Sequence, residues 1–262
     1  MATSGNGQVW ALEHAADLLI SCRYVIAMTG AGVSVESGIP PFRGPGGLWT
    51  KHGEPPLDGY QRFLADPQGY WQQRLTAPSE IVQALARAQP NAGHYALAEL
   101  ERVGILRYLI TQNIDNLHRA AGHQRVAEIH GNSQLLRCIG CSRRFVKEAI
   151  AIALEALPPR CPACAGIIKS DTVHFGEPIP QDVLEICVRE TREADCMLVA
   201  GTSAVVYPAA SFPQMIQEQG GDIIEVNLDD TPLTPLADCS VRGRFGEILP
   251  TLVELVRTKL TA

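Results

Sequence analysis

The chain has 262 residues, of which 46% are hydrophobic and 19% charged, and it contains no repeat or biased tract, which excludes disordered, collagen-like and solenoid proteins. A net charge of −6 without a basic run argues against direct nucleic-acid binding, whereas a mildly acidic surface suits a cationic partner. The start of the sequence lacks Lys or Arg before Arg23, and no apolar stretch is long enough to cross a bilayer. We therefore expect a cytoplasmic protein without a signal peptide or membrane contact.

Four short apolar runs along the chain are typical of buried strands. They are RYVIAM at 23–28, ILRYLI at 105–110, CMLVA at 196–200 and DIIEVNL at 222–228. Apolar residues at helical spacing precede the first run at 9–21 and separate later runs at 92–103 and 180–194. This alternation predicts a doubly wound, parallel α/β sheet. Because ligands bind beyond the carboxyl ends of such strands, we expect the polar segments that follow, TGAGVS, TQNIDN, GTS and NLDD, to meet in one crevice.

Two segments interrupt this alternation. Residues 39–80 are rich in Pro, Gly and aromatic side chains, with a helix predicted near 67–75, and residues 131–170 hold the clustered cysteines. We treat both segments as insertions into the α/β domain. The predicted organisation is one domain over 8–262 with an α/β core (about 8–38, 84–134 and 172–262), a loop and helical module (about 39–83) and a cysteine module (about 135–171).

The spacing of four cysteines indicates a metal site. Cys138-x2-Cys141 and Cys161-x2-Cys164, separated by nineteen residues, match the two halves of a tetrahedral four-thiolate zinc site. Such a site has no open coordination position, so the zinc would be structural and would stabilise a module with little apolar surface to bury. The alternative is four unconnected thiols. The other cysteines lie in or beside apolar segments and are expected in the core: Cys22, Cys187, Cys196 and Cys239.

A glycine-rich turn follows the first predicted strand. Gly30 and Gly32 of TGAGVS would let backbone N–H groups approach a phosphate at a helix N-terminus. The ordinary dinucleotide fingerprint has a third glycine where this chain has Val35, and an acidic residue after the next strand, which is missing. The motif alone leaves two interpretations open: a dinucleotide whose ribose is held differently, and a tight turn without a ligand.

Polar residues cluster after the second predicted strand and in EIHG. Gln112, Asn113 and Asp115 follow the strand, and His130 lies in the EIHG segment. Asn113 and Asp115 are also ordinary helix-capping residues, and a single histidine is often a core residue. In the expected crevice, however, two amides, a carboxylate and an imidazole match a site that orients ribose hydroxyls beside one general base.

Seven motifs, in order from about residue 20 to 250, resemble the sirtuin family of NAD-dependent protein-lysine deacylases. They are GAGVSVESGIPPFRG, TQNID, EIHG, the four cysteines, VHFGEPIP, GTSAVVYPAA and EVNLDD. The resemblance implies a Rossmann-like core with an inserted zinc ribbon and a flexible cofactor loop. It also implies NAD as co-substrate, one structural zinc ion and an acyl-lysine protein or peptide that lies as a strand between the domains. The family reaction transfers the acyl group to ADP-ribose and releases nicotinamide.

The same resemblance assigns roles to individual residues. His130 becomes the general base, and Asn113 becomes the residue that orients the nicotinamide ribose. The peptide would pair with Val173, His174, Phe175, Gly176 and Glu177 of VHFGE. The NAD contacts would be Gly30, Ala31, Gly32, Phe42, Arg43, Gln112, Asp115, Gly201, Thr202, Ser203, Asn227, Asp229 and, at the adenine, Phe245.

The chain departs from the family at two places. Pro41 precedes Phe42 where the family frequently has Asp, which fixes φ and removes a carboxylate from the cofactor loop. Members that remove acidic acyl groups carry Tyr and Arg three residues apart, whereas Tyr70 and Arg74 are four apart here. We therefore expect a deacetylase in which Tyr70 has a structural role as an aromatic core residue and Arg74 is a solvated side chain. The alternatives are an NAD glycohydrolase or mono-ADP-ribosyltransferase, and a zinc-containing NAD-binding module without catalysis.

Overall fold

The computed structural model describes residues 3–44 and 46–261, with side chains from residue 7 onward. Pro45 in the predicted loop module and Ala262 at the end of the predicted domain lie outside the described residues. The α-helices are α1 (Thr3–Ser21), α2 (Leu48–His52), α3 (Gly59–Ala65), α4 (Pro67–Thr76), α5 (Glu80–Arg87), α6 (Ala92–Arg102), α7 (Leu117–Ala120), α8 (Gln181–Glu193), α9 (Ser211–Glu218) and α10 (Phe245–Thr261). Short 3₁₀ helices span Ala31–Ser37, Lys147–Ala149, Leu154–Ala156 and Thr234–Leu236.

The strands form two separate sheets. In chain order they are β1 (Val25–Thr29), β2 (Leu106–Thr111), β3 (Val126–Glu128), β4 (Leu135–Cys138), β5 (Arg144–Val146), β6 (Ile168–Ser170), β7 (Cys196–Ala200), β8 (Asp222–Asn227) and β9 (Cys239–Arg242). The large sheet is parallel throughout, with the order β3-β2-β1-β7-β8-β9. The strand order reverses at the β1–β7 pair, and this is where an open α/β sheet leaves a crevice at its carboxyl edge. The predicted doubly wound parallel sheet is thus confirmed.

The large sheet is buried on both faces because helices cover each side. All five residues of β1 and all five of β7 are buried, which explains their continuous apolar sequence. One apolar cluster joins the sheet to α1, α6 and α10, and a second joins it to α8 and α9. The four predicted strands correspond to β1, β2, β7 and β8. The sequence analysis missed β3 and β9, which are short and lie at the two sheet edges.

The small sheet has the order β5-β4-β6 and is antiparallel. It carries the four-cysteine cluster and packs against α4, whose Trp71 donates its indole N–H to the Ile168 carbonyl at 2.8 Å. Of the cysteines expected in the core, Cys187, Cys196 and Cys239 are buried, and Cys22 is half-buried. Among the described residues, no helix has the length and apolar character needed to span a bilayer.

Candidate active site

A cavity of about 790 Å³ lies at the carboxyl edge of the large sheet. All four polar segments predicted to meet there contribute to its wall. Nearly all the predicted NAD and catalytic residues line it: Gly30, Ala31, Gly32, Phe42, Arg43, Gln112, Asn113, Asp115, His130, Gly201, Thr202, Ser203, Asn227 and Asp229. Its size falls within the usual range for small-molecule sites.

The glycines bring the loops after β1 and β7 into direct backbone contact. The Gly32 N–H donates to the Gly201 carbonyl at 2.8 Å, and the Gly30 N–H donates to the Ala200 carbonyl at 3.1 Å. A Cβ added at Gly32 would lie 2.7 Å from the Gly201 oxygen, and Gly201 itself has φ +58°. These two N–H groups are therefore already hydrogen-bonded within the protein. A phosphate would have to be held by other N–H groups of the turn. The helix that follows the first strand is a 3₁₀ helix, Ala31–Ser37.

A buried polar network forms the floor of the cavity. The Asn113 side-chain amide donates to the Gly30 carbonyl at 3.0 Å and to Ser34 Oγ at 3.2 Å. Ser34 in turn donates to Asp115 Oδ2 at 2.7 Å, and Asp115 Oδ1 accepts the Leu117 N–H at 2.9 Å. Burial raises the pKa of Asp115 above its ordinary value. The network fixes these side chains before any ligand arrives.

His130 is held in a single tautomer beside this floor. Its Nδ1 lies 3.0 Å from the Gln112 carbonyl oxygen, which can only accept, so Nδ1 carries the proton and Nε2 keeps a free lone pair. Burial lowers the pKa of His130, so the imidazole is neutral at neutral pH. A neutral imidazole with a free Nε2 can accept a proton.

Residues at the carboxyl ends of β2, β7 and β8 are linked to one another by hydrogen bonds. Gln112 Nε2 donates to Thr202 Oγ1 at 3.0 Å, and Asn227 Nδ2 donates to the Thr202 carbonyl at 3.0 Å. The end of β2 and the segments after β7 and β8 are therefore cross-linked around Thr202. Donors and acceptors in this arrangement suit the hydroxyl groups of a ribose.

The loop after the 3₁₀ helix closes over the cavity without the family's frequent carboxylate. The Leu48 N–H donates to the Pro41 carbonyl at 2.8 Å, and the guanidinium of Arg43 lies 4.3 Å from the centroid of Trp49. Arg43 also pairs with Glu54 at 3.2 Å. Backbone bonding, cation–π stacking and one exposed ion pair hold the loop where Pro41 replaces Asp.

The VHFGE segment lines the cavity but is not a regular strand. All five residues, Val173, His174, Phe175, Gly176 and Glu177, contribute to the wall. The Phe175 carbonyl accepts the Tyr60 N–H at 2.9 Å, and the His174 carbonyl accepts the Glu177 N–H at 3.0 Å. An added peptide strand would therefore pair with the remaining backbone groups of the segment.

Phe245 does not join the other predicted NAD residues. Its ring is 5% exposed and packs edge-on against His94, with centroids 5.6 Å apart. A Cβ at Gly93 would lie 2.4 Å from the same ring, so the pocket around it is closely filled. The side chain of Phe245 is therefore buried in the core and does not line the cavity, and its assignment as an adenine contact stays a prediction.

Tyr70 and Arg74 of α4 are absent from the cavity wall among the described residues. Tyr70 packs against Phe63 and His174, with ring centroids 5.0 and 5.5 Å apart. The expected structural role of Tyr70 agrees with this packing.

The sequence analysis missed two kinds of residue that the structure brings to the cavity. Ser34 lies within the quoted TGAGVS motif, but its link between Asn113 and Asp115 depends on side chains about 80 positions away. The sequence signal that could have indicated Ser34 is a hydroxyl two residues after Gly32, at the end of the glycine-rich turn. The apolar wall, which includes Ile39, Leu85 and Ile114, carries no motif at all.

The four predicted metal ligands converge in the small sheet. The sulfurs of Cys138, Cys141, Cys161 and Cys164 all lie within 4.8 Å of one another, and two of the separations are 3.5 and 3.8 Å. Zinc–sulfur bonds of about 2.3 Å in a tetrahedron require sulfur separations of about 3.8 Å. A Cβ at Gly166 would lie 3.0 Å from the Cys138 sulfur, so glycine leaves room for the cluster. The residues present fit a four-thiolate zinc ion.

Fold and site together define an α/β protein with a dinucleotide-type crevice and a four-cysteine module. The Sir2 family model matches residues 30–208. An NAD-dependent protein deacylase of Archaeoglobus fulgidus is 46% identical over 239 residues, which is 91% of this chain and 95% of that protein. The chain belongs to the Sir2 family.

Solved structures show the same similarity. A Sir2 homologue mutant in complex with 2'-O-acetyl ADP ribose has a TM-score of 0.81 and 44% identity, covering 95% of this chain and 98% of that one. A complex described as Sir2-p53 peptide-NAD+ has a TM-score of 0.77 and 34% identity, covering 93% and 97%.

Proposed function

We propose that this chain is an NAD-dependent protein-lysine deacylase, and specifically a deacetylase, which transfers the acyl group of an acyl-lysine to ADP-ribose and releases nicotinamide. The observation that carries the proposal is the neutral His130, with a free Nε2, in a cavity whose floor is the Asn113–Ser34–Asp115 network. Relatives that cover nearly the whole chain are NAD-dependent protein deacylases.

The cavity residues divide into two groups by their proposed partners. Bound NAD supplies an electrophilic ribose carbon and a nicotinamide leaving group. Gln112, Asn113 and Asp115 would orient the ribose and carboxamide, because they offer fixed donors and acceptors at the sheet edge. The other NAD contacts proposed are Gly30, Ala31, Gly32, Phe42, Arg43, Gly201, Thr202, Ser203, Asn227 and Asp229.

His130 would act as general base on a ribose hydroxyl after nicotinamide has left. The Gln112 carbonyl keeps the proton on Nδ1 and thereby points the basic nitrogen away from the backbone. Proton acceptance at Nε2 produces an imidazolium whose Nδ1–H bond to Gln112 strengthens, and this favours the charged form in the transition state.

The peptide would enter along Val173–Glu177, with the acyl-lysine directed towards His130 across the cavity. The lining of the cavity includes apolar residues such as Ile39, Ile114 and Val173, and it does not include Arg74. A wall of this kind suits a short neutral acyl group, which supports the acetyl preference. The net charge of −6 suits lysine-containing substrates and gives no support to nucleic-acid binding.

The four cysteines would hold one structural zinc ion, which takes no part in the reaction. We also retain the division into a core, a module over about 39–83 and a module over about 135–171 as a proposal. Four of the eight cysteines are assigned as metal ligands and the other four as thiols in or beside the core, and such usage supports a reducing compartment such as the cytoplasm.

The test is mass spectrometry of an acetyl-lysine peptide incubated with NAD and the purified protein. We expect equimolar nicotinamide, deacetylated peptide and O-acetyl-ADP-ribose. His130→Ala should lower turnover by roughly two to four orders of magnitude, because the second step loses its base. Exchange of labelled nicotinamide into NAD should persist in this variant, whereas Asn113→Ala should impair both reactions.

His14→Ala is the matched control, because His14 stacks on Trp10 in α1 and does not line the cavity. Release of nicotinamide without deacetylated peptide would instead favour an NAD glycohydrolase. Wild-type turnover in His130→Ala would show that His130 is not the base.

A further inference from the structure

The small sheet carries three cations in one cross-strand row. Arg144 of β5 is opposite Arg137 of β4, and Arg137 is opposite Lys169 of β6. Residues directly opposite each other in antiparallel strands project from the same face. Like charges in such positions are destabilising unless anions compensate them. We call Arg144, Arg137 and Lys169 the cation row.

Each member of the cation row reaches a carboxylate outside the small sheet. Arg137 Nε donates to Asp171 Oδ1 at 2.6 Å, and Arg144 Nε donates to Asp171 Oδ2 at 2.9 Å. Arg144 Nη2 also donates to Glu128 Oε2 at 3.0 Å. Lys169, 1% exposed, pairs with Glu177 at 3.0 Å. Arg137, Glu128 and Asp171 are buried as well, and buried charges require close pairing because an unpaired one is strongly destabilising. Arg144 is more exposed and reaches these buried carboxylates from the surface.

Two of these carboxylates accept hydrogen bonds from Asn132, two residues after His130. Glu128 Oε1 accepts the Asn132 side-chain amide at 2.6 Å, and Asp171 Oδ2 accepts the Asn132 backbone N–H at 3.1 Å. Between them, a Cβ at Gly131 would lie 1.9 Å from the Asp171 carbonyl oxygen, so the chain around residue 171 presses directly on this turn. Asn132, two residues after His130, is thus held through its side chain and its backbone N–H by carboxylates that Arg137 and Arg144 bind.

The third carboxylate shapes the VHFGE segment. Glu177 Oε2 accepts the His174 N–H at 2.8 Å, which closes the turn. Lys169 Nζ pairs with this same carboxylate and donates to the Thr172 carbonyl at 2.6 Å. Lys169 therefore fixes the start of the segment and its closing turn at once.

We propose that the cation row is a positioning device that couples the four-cysteine module to the reaction. Arg137 and Arg144 position His130 for proton transfer, and Lys169 positions Val173–Glu177 for the peptide. None of the three lines the cavity, so each acts through the carboxylate that it binds. This inference rests on the function proposed above.

Arg144→Gln is the most direct test. After this change Asp171 keeps Arg137, and Glu128 keeps Arg119 at 3.0 Å, so no carboxylate is left unpaired. We expect peptide deacylation to fall about ten- to a hundredfold, since small displacements of a catalytic group have effects of this order. Nicotinamide exchange should fall less than about twofold, because His130 acts after that step.

Arg144→Lys should restore part of the deacylation rate, and Arg143→Gln, at the exposed neighbouring position, should change neither reaction. Zinc content and Tm are measured for each variant. Equal losses in exchange and deacylation, or no loss in either, would overturn the proposal for the cation row. The proposed function would still stand in that case, provided that the wild-type protein deacylates the peptide. If the wild-type protein does not deacylate, the proposed function fails first.

Lys169 is tested as a neutral pair, Lys169→Met with Glu177→Gln, which avoids a buried unpaired charge. We expect KM for the peptide to rise about tenfold while KM for NAD stays within about twofold, because the displaced segment faces the peptide. An equal rise in both KM values, or none, would show that Lys169 supports the fold alone.

Discussion

The two sheets of this protein are stabilised by different interactions. The large sheet is buried between two apolar clusters, and its central strands contain no charged residue. The small sheet has strands of three or four residues, and its core includes two of the four metal-site cysteines, Cys138 and Cys161. Where a module cannot bury enough apolar surface, thiolate ligands and paired charges replace it. The two regions should therefore fail under different treatments.

Removal of the metal should cause the largest loss of stability, and this loss should be confined to the small sheet. Cys161→Ser leaves three sulfurs, so we expect zinc to fall from one per chain to near zero. The local loss of stability should be on the order of 5 kcal/mol or more, because metal binding supplies the folding free energy of such modules. Hydrogen exchange should show loss of protection at 135–171 and retained protection in β1 and β7.

Cys22→Ser is the matched control, because Cys22 is half-buried and lies outside the cluster. If residues 135–171 stayed protected from hydrogen exchange after removal of the metal, this would contradict the prediction that the metal stabilises the small sheet.

A void created by mutation beside the large sheet should cause the next largest loss of stability, and the zinc should remain bound. Leu198 is fully buried in β7. Leu198→Ala should lower the free energy of unfolding by about 2–5 kcal/mol through lost apolar contact and the remaining void. Urea denaturation measures this change, and metal analysis of the same sample should still give one zinc per chain. Loss of zinc from this variant would mean that metal binding in the small sheet depends on the packing of the large sheet.

Acid should produce a smaller loss of stability in the large sheet through buried histidines. Burial, and secondarily His123, lowers the pKa of His94 to about 4, below the ordinary value of about 6.5. The unfolded chain therefore binds a proton that the folded chain does not, so stability is present at pH 7 and declines as the pH falls from about 6.5 towards 4. Between pH 7 and 5 this histidine should account for about 2 kcal/mol.

His94→Gln should remove that part of the pH dependence. The control is His52→Gln, which changes a histidine at an exposed position. Because both variants keep the four cysteines, any effect of acid on the metal site cancels in the comparison. Urea midpoints at pH 7 and pH 5 are the measurement. Equal pH dependence in His94→Gln and in the wild-type protein would contradict the assignment.

The difference between the sheets also explains what the sequence could predict. β1 and β7 are central strands that are buried at every residue, which makes their sequences almost wholly apolar. The adjacent strands β2 and β8 are mostly apolar, although β2 contains Arg107 and β8 contains Asp222 and Glu225. β3 and β9 are short edge strands that lack such a run. The four cysteines were predictable because metal coordination constrains residue type and spacing together, whereas the cation row depends on a register that only the folded sheet reveals.

The candidate site shows the same division. Gln112, Asn113, Asp115 and His130 were predictable as a cluster because strand ends meet at one edge of a parallel sheet. The burial of Phe245 was not predictable, because it depends on the way α10 packs against α6 and His94. The irregular shape of VHFGE depends on a contact with Tyr60, more than 100 residues away in sequence.

The strand order has a consequence for how the protein is made. β1 lies at the centre of the large sheet, yet its neighbour β7 is synthesised about 170 residues later. The first half of the nascent chain can pair β1 only with β2, and the opposite edge of β1 stays open until β7 has left the ribosome. The loops after β1 and β7 that meet at Gly32 and Gly201 are therefore joined late, so a growing chain has no complete nucleotide crevice until β7 and the loop after it have been made.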